Sequence, residues 1–403
     1  MASRLTPRDN MYIVAWDQGS ASTVSSLEGF KQHFGISSDQ AGSTKNFVSL
    51  VYIGDAVGAA ASFFINDHIG RRWSYRLYTT IWIIGQLVAM FSPGIAGLYA
   101  SRIISGLGIG ALGVTGNVSV VEIAPSEIRG LLAAWYSVCM GLALMLATFC
   151  VYGVELHIRA SRLQYQVVLF SPCIFMFLWI VASFFLCESP RWMILTGKDD
   201  DALDTLVTLR RLPPDHPRVQ RELKSMRESV KSEMTTWSPS TKDKDHNHSS
   251  SNSYFTQTIS IAQETFTEPT NLRRVQQSII MYALPQFSGG NSITNYFIPV
   301  LKVVDLAGDS TRNLFLNGMY TLAKFFFSLF TSFFFIDALG RRNSLFVGIS
   351  LQMFSDIYLA AYIKVQSDNS TVPRSAGEVA LAAIFIHALG YTVGKSPTFQ
   401  VIN

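Results

Sequence analysis

A short charged motif, Asp-x-x-Gly-Arg-Arg, occurs twice in the chain, each time between two long apolar runs. Glycine permits a tight backbone reversal that a residue with a Cβ resists, and paired arginines beside apolar runs place a turn on the cytoplasmic side of a membrane. Membrane topology alone would explain one copy, whereas two copies in equivalent surroundings indicate an internally duplicated helix bundle. We expect both turns to form a cytoplasmic gate by pairing with neighbouring helix ends. The motif residues are Asp67, Gly70, Arg71 and Arg72 in the first copy, and Asp337, Gly340, Arg341 and Arg342 in the second.

The composition is that of a membrane protein. Of the 403 residues, 49% are hydrophobic and 15% are charged, whereas about a quarter of the residues of a soluble protein are charged. A transmembrane helix needs roughly 20 mostly apolar residues, and the sequence predicts nine such spans after a short apolar stub at residues 11–16. The predicted fold class is an all-α polytopic membrane protein. The nine spans are 46–65, 75–91, 98–121, 131–154, 166–186, 278–300, 315–336, 345–363 and 379–393.

Several functional classes are disfavoured by the same composition. The net charge of +4 is small and lies mainly in membrane-flanking turns, so it indicates no nucleic-acid partner. The four cysteines all lie in apolar runs and show no disulfide or metal-binding spacing. His246 and His248 lack a third ligand, so we expect no metal and no cofactor.

The sequence divides into three parts. Residues 1–195 are predicted to form an N-terminal transmembrane half, residues 196–272 a cytoplasmic helical insert and linker, and residues 273–403 a C-terminal transmembrane half. Leu203, Leu206 and Leu209 give the insert a helical pattern. With both Gly-Arg-Arg turns in the cytoplasm, the loop at 364–378 is external, and its Asn369 is a candidate glycosylation acceptor.

Ionisable side chains at membrane depth are rare and usually functional. Arg102 lies in an apolar run beside a ridge of glycines, which allows a neighbouring helix to approach closely. Asp17 is its best acidic partner, and an Asp–Arg pair facing a cavity can exchange a proton when a solute enters. The alternative is a purely structural ion pair. Asp55, Lys324 and Asp356 also lie at membrane depth, without partners that the sequence identifies.

Further pairs of acidic residues with arginine follow the spans that end on the cytoplasmic side. We interpret these pairs as an inter-helix latch belonging to the gate, and the alternative is that they are solvated helix ends. The residues are Glu122, Arg129, Glu188 and Arg191.

The most polar passage within any span contains Gln286, Asn291 and Asn295. Pro285 and the following glycine doublet are expected to break the helix there, and broken helices near the membrane midplane bind solutes in transporters. Asn291 and Asn295 are four residues apart and share a helix face. Amides both donate and accept hydrogen bonds, so they suit a neutral ligand rich in hydroxyls. Alternatively, the amides bond neighbouring helices.

Taken in order, these motifs resemble the sugar porter family of the major facilitator superfamily, above all its fungal sugar and quinate permease-like members. The resemblance runs from about residue 17 to residue 394. It implies a bundle of two six-helix halves joined by a cytoplasmic insert and working by alternating access, often with proton symport. By this resemblance Asp17 and Arg102 form the coupling pair, and Gln286 and Asn291 contact solute hydroxyls.

The chain departs from the family pattern at several points. The first span is shortened, Pro285 stands where many members have glutamine, and Ser137 and Gly141 lie where sugar-transporting members have a substrate-binding glutamine. The resemblance stops after Gly394. We therefore expect an incomplete bundle with about nine to ten spans.

The resulting expectation is a secondary active transporter for a sugar, polyol or quinate-like solute, coupled to protons, and not an enzyme. Its expected partners are the lipid bilayer, a small polar solute and the proton, and the expected form is a monomer in the plasma membrane. The alternative is a non-transporting member of the same family, either a truncated remnant or a nutrient sensor.

Overall fold

The computed structural model describes residues 10–36, 41–125, 129–237, 267–304, 306–368 and 373–401, and these residues are almost entirely helical. A single 3₁₀ turn, Ser183–Phe185, and a π-helical turn, Thr331–Phe335, complement the α-helices in this part of the chain. The α-helices are α1 (Asn10–Val24), α2 (Glu28–Phe34), α3 (Ala41–Ile69), α4 (Arg71–Phe91), α5 (Ile95–Ile123), α6 (Arg129–His157), α7 (Arg162–Ala182), α8 (Pro190–Leu195), α9 (Asp199–Arg210), α10 (Pro217–Trp237), α11 (Pro269–Phe287), α12 (Gly290–Asn295), α13 (Phe297–Val303), α14 (Ser310–Phe330), α15 (Ile336–Asp368) and α16 (Arg374–Val401).

Seven helical stretches of the described chain are long and apolar enough to cross a membrane. They confirm the all-α polytopic fold class. Two of the nine spans expected from the sequence are not among them. The first is α4, which has 21 residues but opens with arginines at 71, 72 and 76. The second is the run at 278–300, which is interrupted. The seven stretches are Lys45–Ile69, Ile95–Ile123, Ser137–His157, Arg162–Phe185, Ser310–Phe334, Arg342–Asp368 and Ser375–Gly394.

The interruption falls at the glycine doublet, as expected. Helix α11 ends at Phe287, Gly289 adopts a left-handed conformation with φ of 79°, and α12 begins at Gly290. Only glycine adopts this conformation without strain. The expectation that Pro285 also breaks the helix is wrong, because α11 continues through it for two more residues.

Helix α1 is longer than the six-residue apolar stub, since it runs for 15 residues to Val24. Its second half is rich in hydroxyl side chains that bond to carbonyls of the preceding turn. Ser22 Oγ donates to the Gly19 carbonyl at 3.0 Å, and Thr23 Oγ1 donates to the same carbonyl at 2.8 Å. These bonds satisfy the hydroxyl groups within the helix itself, so the helix continues through this polar part of the sequence.

The two Gly-Arg-Arg turns have nearly the same backbone conformation. Gly70 has φ of 91° and ψ of 159°, and Gly340 has φ of 74° and ψ of 161°. Both values of φ are positive, which favours glycine. The tight reversal expected at both positions is confirmed, and the match supports an internal duplication.

The described residues up to Leu186, together with those from Ser288 onward, form one compact unit. Its tightest contact joins α3 to α5. An added Cβ at Gly54 or Gly58 would lie within 2.3 Å of a carbonyl oxygen on α5. Helices α6 and α14 join the two halves of the unit, where Gly141 faces Phe325 and Gly318 faces Phe149.

Residues Cys187–Phe287 form a second unit. Helices α8, α9 and α10 share a small apolar core whose buried members are Ile194, Ala202, Leu206, Val219, Leu223 and Val230. Arg210 pairs with Glu222 across it at 2.8 Å. The helix expected from the leucine pattern is confirmed as α9. The boundaries expected at 195 and 272 stay predictions.

Candidate functional site

Asp17 and Arg102 form a bidentate ion pair in the interior of the first unit. Arg102 Nη1 donates to Asp17 Oδ1 at 2.9 Å, and Nη2 donates to Oδ2 at 2.8 Å. The side chain of Asp17 is only 5% exposed and that of Arg102 only 3%. The partner expected for Arg102 is therefore the observed one, and parallel charge-assisted bonds of this kind are strong and directional.

A second layer of contacts fixes this pair. Gln86 Nε2, from α4, donates to Asp17 Oδ1 at 3.0 Å. Arg102 Nε donates to the Phe47 carbonyl at 3.2 Å, and the guanidinium carbon lies 4.6 Å from the centroid of the Phe47 ring. Gln86 was not identified from the sequence. Its signal was an amide within an apolar run.

The glycine ridge of α5 brings Phe47 into reach of Arg102. An added Cβ at Gly106 would lie 2.2 Å from the Val51 carbonyl oxygen, and one at Gly110 would lie 2.0 Å from that of Asp55. Such spacing requires glycine on the facing helix. The close approach expected from the glycines is present, and it sets the position of the α3 backbone beside the ion pair.

Asp55 adds a second carboxylate to this region. It lies within electrostatic range of both Asp17 and Arg102. Its Oδ1 atom is buried and accepts no hydrogen bond from the residues that the structure describes. Two carboxylates thus lie within electrostatic range of one guanidinium, and only that of Asp17 is shown to bond to it.

The first Gly-Arg-Arg turn carries a buried network within the N-terminal half. Arg71 donates to Glu122 through Nε at 3.1 Å and through Nη2 at 2.9 Å. It also donates to Asp67 Oδ1 at 2.8 Å. The Glu122 side chain is 6% exposed and that of Asp67 is 63% exposed. Arg72 Nη1 donates to the Leu186 carbonyl at 3.0 Å.

Two further residues of this network were missed. Asn66 Oδ1 accepts hydrogen bonds from Tyr78 at 3.2 Å and from Thr115 at 3.0 Å. Arg76 donates to the hydroxyl and to the carbonyl of Ser183, both at 2.9 Å. Arg76 lies four residues after Arg72, so it occupies the next helical turn.

The remaining residues expected in the gate are less fully described. Arg129 is the first residue of α6. Glu188 Oε1 accepts the backbone N–H of Ser189 at 3.1 Å, and Arg191 lies in the first turn of α8, in the second unit. The Arg342 guanidinium carbon lies 5.8 Å from the centroid of the Phe346 ring. The side chains of Asp337 and Arg341, and Asn369 as a whole, lie outside the described part of the structure.

The two asparagines that follow the interruption of the helix bond to partners in different halves of the bundle. Asn291 Oδ1 accepts a hydrogen bond from the Tyr391 hydroxyl at 3.0 Å, within the C-terminal half. Asn295 Nδ2 donates to the Tyr52 hydroxyl at 2.7 Å, on α3 of the N-terminal half. Gln286 is exposed on α11 and belongs to the second unit.

The structure shows partners for Lys324 and Asp356, the two ionisable side chains of the C-terminal half for which the sequence identified none. Lys324 Nζ donates to Thr294 Oγ1 at 2.6 Å. Asp356 lies 3.6 Å from the imidazole of His387, measured from Oδ1 to Nε2. His387 Nε2 is also 3.2 Å from the Ser288 carbonyl oxygen.

Comparison with known proteins decides the family. The family model described as "Sugar (and other) transporter" matches residues 11–403. The chain belongs to this family. Membership makes it a multi-pass membrane protein of a family of transporters, not of enzymes.

Curated relatives of this member of the sugar transporter family include a mould permease and a yeast glucose transporter. A probable quinate permease of Aspergillus fumigatus is 26% identical over 400 residues, covering 96% of this chain and 69% of the relative. The low-affinity glucose transporter HXT1 of Saccharomyces cerevisiae is 29% identical over 348 residues, covering 84% of this chain and 56% of the relative.

Solved structures of the E. coli xylose transporter XylE have the same fold. Its partially occluded inward-open form superposes with a TM-score of 0.74 at 16% identity, covering 98% of this chain and 85% of XylE. The proton:xylose symporter XylE of the major facilitator superfamily, bound to 6-bromo-6-deoxy-D-glucose, gives a TM-score of 0.73 at 17% identity, with 98% and 80% covered. The sugar transporter family member therefore has the major facilitator fold.

Proposed function

We propose that this protein is a secondary active transporter that moves a sugar or a related polyhydroxy solute, such as a polyol or quinate, together with a proton by alternating access. The observation that carries the proposal is the Asp17–Arg102 pair, with side chains 5% and 3% exposed in the membrane bundle. Buried ion pairs add little to stability when compared with apolar packing. A buried ion pair in this position therefore favours a functional role.

The proton step follows from the contacts of Asp17. When Asp17 is ionised, its two oxygens hold the Arg102 guanidinium in a fixed orientation. Protonation removes the negative charge and weakens both bonds, so Arg102 is released toward the Phe47 carbonyl and ring. A solute that binds one of these two states better would then move with the proton, because a ligand shifts a conformational equilibrium by its difference in affinity.

The solute side of the proposal rests on the broken helix. Asn291 and Asn295 offer amide groups next to the turn at Gly289, and Gln286 lies just before it. Amides match the hydroxyls of a sugar or polyol. The relatives named above as a quinate permease, a glucose transporter and a xylose symporter all act on solutes of this kind.

For the gate, we propose that the buried Arg71–Glu122 pair and the second motif at 337–342 lock the cytoplasmic ends of the helices in one state. We further propose that the protein acts as a monomer in the plasma membrane. A non-transporting member of the family is the competing hypothesis, and the assay below distinguishes the two.

The test is uptake of labelled glucose, xylose and quinate by the full chain in proteoliposomes, with and without an inward proton gradient. We expect the gradient to drive accumulation of at least one solute. Arg102→Met should abolish this accumulation, while Arg221→Met, the same change at an exposed position, should leave it intact. Asn291→Ala should raise the half-saturation concentration. Accumulation by Arg102→Met at the wild-type level would refute the coupling role, and no uptake of any solute would favour the non-transporting alternative.

A further inference from the structure

A histidine and an aspartate meet inside the C-terminal half, and the transport mechanism proposed above uses neither. Asp356 lies on α15, near the midpoint of the spanning stretch Arg342–Asp368, and His387 lies on α16. Asp356 Oδ1 is 3.6 Å from His387 Nε2. The imidazole is completely buried, whereas 48% of the Asp356 side chain is exposed. Ionisable side chains at membrane depth are costly and usually functional.

A second contact indicates which ring nitrogen of His387 carries its hydrogen. Nε2 lies 3.2 Å from the Ser288 carbonyl oxygen, and a carbonyl oxygen only accepts hydrogen bonds. The hydrogen is therefore assigned to Nε2, and Nδ1 is the unprotonated nitrogen of the neutral ring. Nδ1 is buried and has no hydrogen-bond partner among the residues that the structure describes.

The single hydrogen on Nε2 faces two acceptors, the carboxylate of Asp356 and the carbonyl of Ser288. A bond to an ionised carboxylate is charge-assisted and stronger than one to a carbonyl, so the carboxylate weakens the bond to Ser288. A proton taken up by Asp356 would neutralise the carboxylate and leave the Nε2 hydrogen to the carbonyl.

Two observations favour Asp356, rather than the ring, as the place for an additional proton. A hydrogen on Nδ1 would be a buried donor without an acceptor in the described part of the chain, which costs free energy. Among the described residues, the charged groups that act on His387 from neighbouring helices are Asp356 and Lys324, on α14. The ammonium of Lys324 repels an imidazolium. The half-exposed carboxyl is also the group that a proton can reach without movement of the ring.

Ser288 lies at the helix break itself. Helix α11 ends one residue before it, and the left-handed Gly289 follows it. A break leaves backbone groups outside a regular helix, and inside a membrane bundle these groups take partners from other helices. His387 supplies such a partner from α16. The strength of this bond therefore affects how firmly the break, and Asn291 beyond it, is held.

We propose that Asp356 and His387 form a proton-binding site, in which a proton on Asp356 tightens the backbone of the helix break through the bond from His387 Nε2 to the Ser288 carbonyl. This site is separate from the proton step assigned to Asp17. It goes beyond the proposed transport function, because proton binding here is measurable without a solute. The competing explanation is that His387 makes a permanent structural bond that no proton changes.

The first test is nuclear magnetic resonance of the full chain, labelled with ¹⁵N-histidine, in micelles. The chain has seven histidines, and His387→Gln identifies the signals of His387 by their absence. From about pH 4 to 8, a range that contains carboxyl and imidazole titrations, we expect a step in the His387 ring shifts while the ring stays neutral. Asp356→Asn should remove the step. Asp204→Asn, the same change at an exposed position, should leave it in place.

The second test is hydrogen exchange of the backbone amides of α12 on either side of the midpoint of that step, corrected for the intrinsic effect of pH on exchange. We expect exchange to be about threefold to tenfold slower in the protonated state, as a strengthened neutral hydrogen bond allows. Asp356→Asn mimics the neutral carboxyl, so it should show the slow exchange on both sides. Asp204→Asn should respond to pH as the wild type does.

Three outcomes would overturn the proposal. The wild-type His387 signals do not change with pH, the step persists in Asp356→Asn, or the corrected exchange of α12 is equal on both sides of the midpoint. The first and third need no variant for the comparison itself, so a variant that fails to fold does not protect the proposal. Neither test uses a solute. The proposed transport function can therefore fail in the uptake assay while this site stands, and the reverse.

Discussion

Replacing Gly110 with alanine tests the tightest helix contact in the part of the chain that the structure describes. An added Cβ at this position would lie 2.0 Å from the carbonyl oxygen of Asp55. Carbon and carbonyl oxygen meet at about 3.3 Å in close helix contacts, so α3 and α5 would have to separate by about 1.3 Å. Gly54, Gly58 and Gly106 face backbone at 2.2 to 2.3 Å along the same contact, so a local shift cannot be absorbed nearby.

The expected cost follows from a matched control on the same helix. Gly113 has no heavy atom within 4 Å of an added Cβ, so Gly113→Ala adds a methyl group in open space. Both variants gain the same intrinsic helix preference of about 1 kcal/mol, and this term cancels in their difference. The difference is then the steric cost alone, about 1–3 kcal/mol. Gly110→Ala should be the less stable variant, and Gly113→Ala should match or exceed the wild type.

The assay is unfolding of the purified protein in mixed micelles by a denaturing detergent, followed by tryptophan fluorescence. We expect the midpoint of Gly110→Ala to fall below that of Gly113→Ala. Because α3 also supplies the Phe47 carbonyl that holds Arg102, the proton-driven uptake that we propose should fall together with the midpoint. Equal midpoints for the two variants would refute the reasoning, since the close approach would then impose no constraint on residue size.

Three further predictions concern the buried polar contacts. Arg102→Met should lower the free energy of unfolding by about 3–5 kcal/mol, because it leaves a buried carboxylate without its cation, and adding Asp17→Asn should restore part of the loss; strictly additive losses would contradict this. Glu122→Gln should destabilise the protein by at least about 1 kcal/mol more than Asp67→Asn, since the Asp67 side chain is 63% exposed; equal unfolding midpoints would count against it. Tyr52→Phe removes one hydrogen bond between the halves, worth about 1 kcal/mol. Labelling of cysteines at the external helix ends should therefore rise by about fivefold. Unchanged labelling would exclude a role for Tyr52 in holding the halves together.

The parts of the fold that a single residue type dictates could be predicted from the sequence. Positive φ at Gly70 and Gly340 follows from the motif itself, and the pairing of Arg102 with Asp17 follows from the cost of leaving either charge alone in a membrane. Gly289 likewise determines where the helix is interrupted within the polar passage, whereas Pro285, four residues earlier, does not interrupt it.

Other features depend on packing that the sequence does not display. Gln86 reaches Asp17 only because α4 packs against α5, and the partners of Lys324 come from two other helices. The length of α1 was underestimated because apolar runs were counted, whereas Thr23 and its neighbours satisfy their hydroxyls within the helix. The roles of the gate residues and of the solute-binding amides stay predictions, since no solute contact defines them.

The contact between the two halves at the end opposite the Gly70 turn has an energetic consequence. It contains two neutral hydrogen bonds, Asn295 to Tyr52 at 2.7 Å and Ser49 to Tyr296 at 3.4 Å. Ile298 also packs there with buried residues of the N-terminal half.

Such bonds contribute about 0.5–1.5 kcal/mol each, and a buried aliphatic side chain about 1.5–3 kcal/mol. The total, roughly 3–6 kcal/mol, corresponds to an equilibrium factor of about 10² to 10⁴. A ligand that parts the two halves must therefore bind the parted conformation more tightly than the joined one by about this factor, because a ligand that binds both equally shifts nothing however tightly it binds.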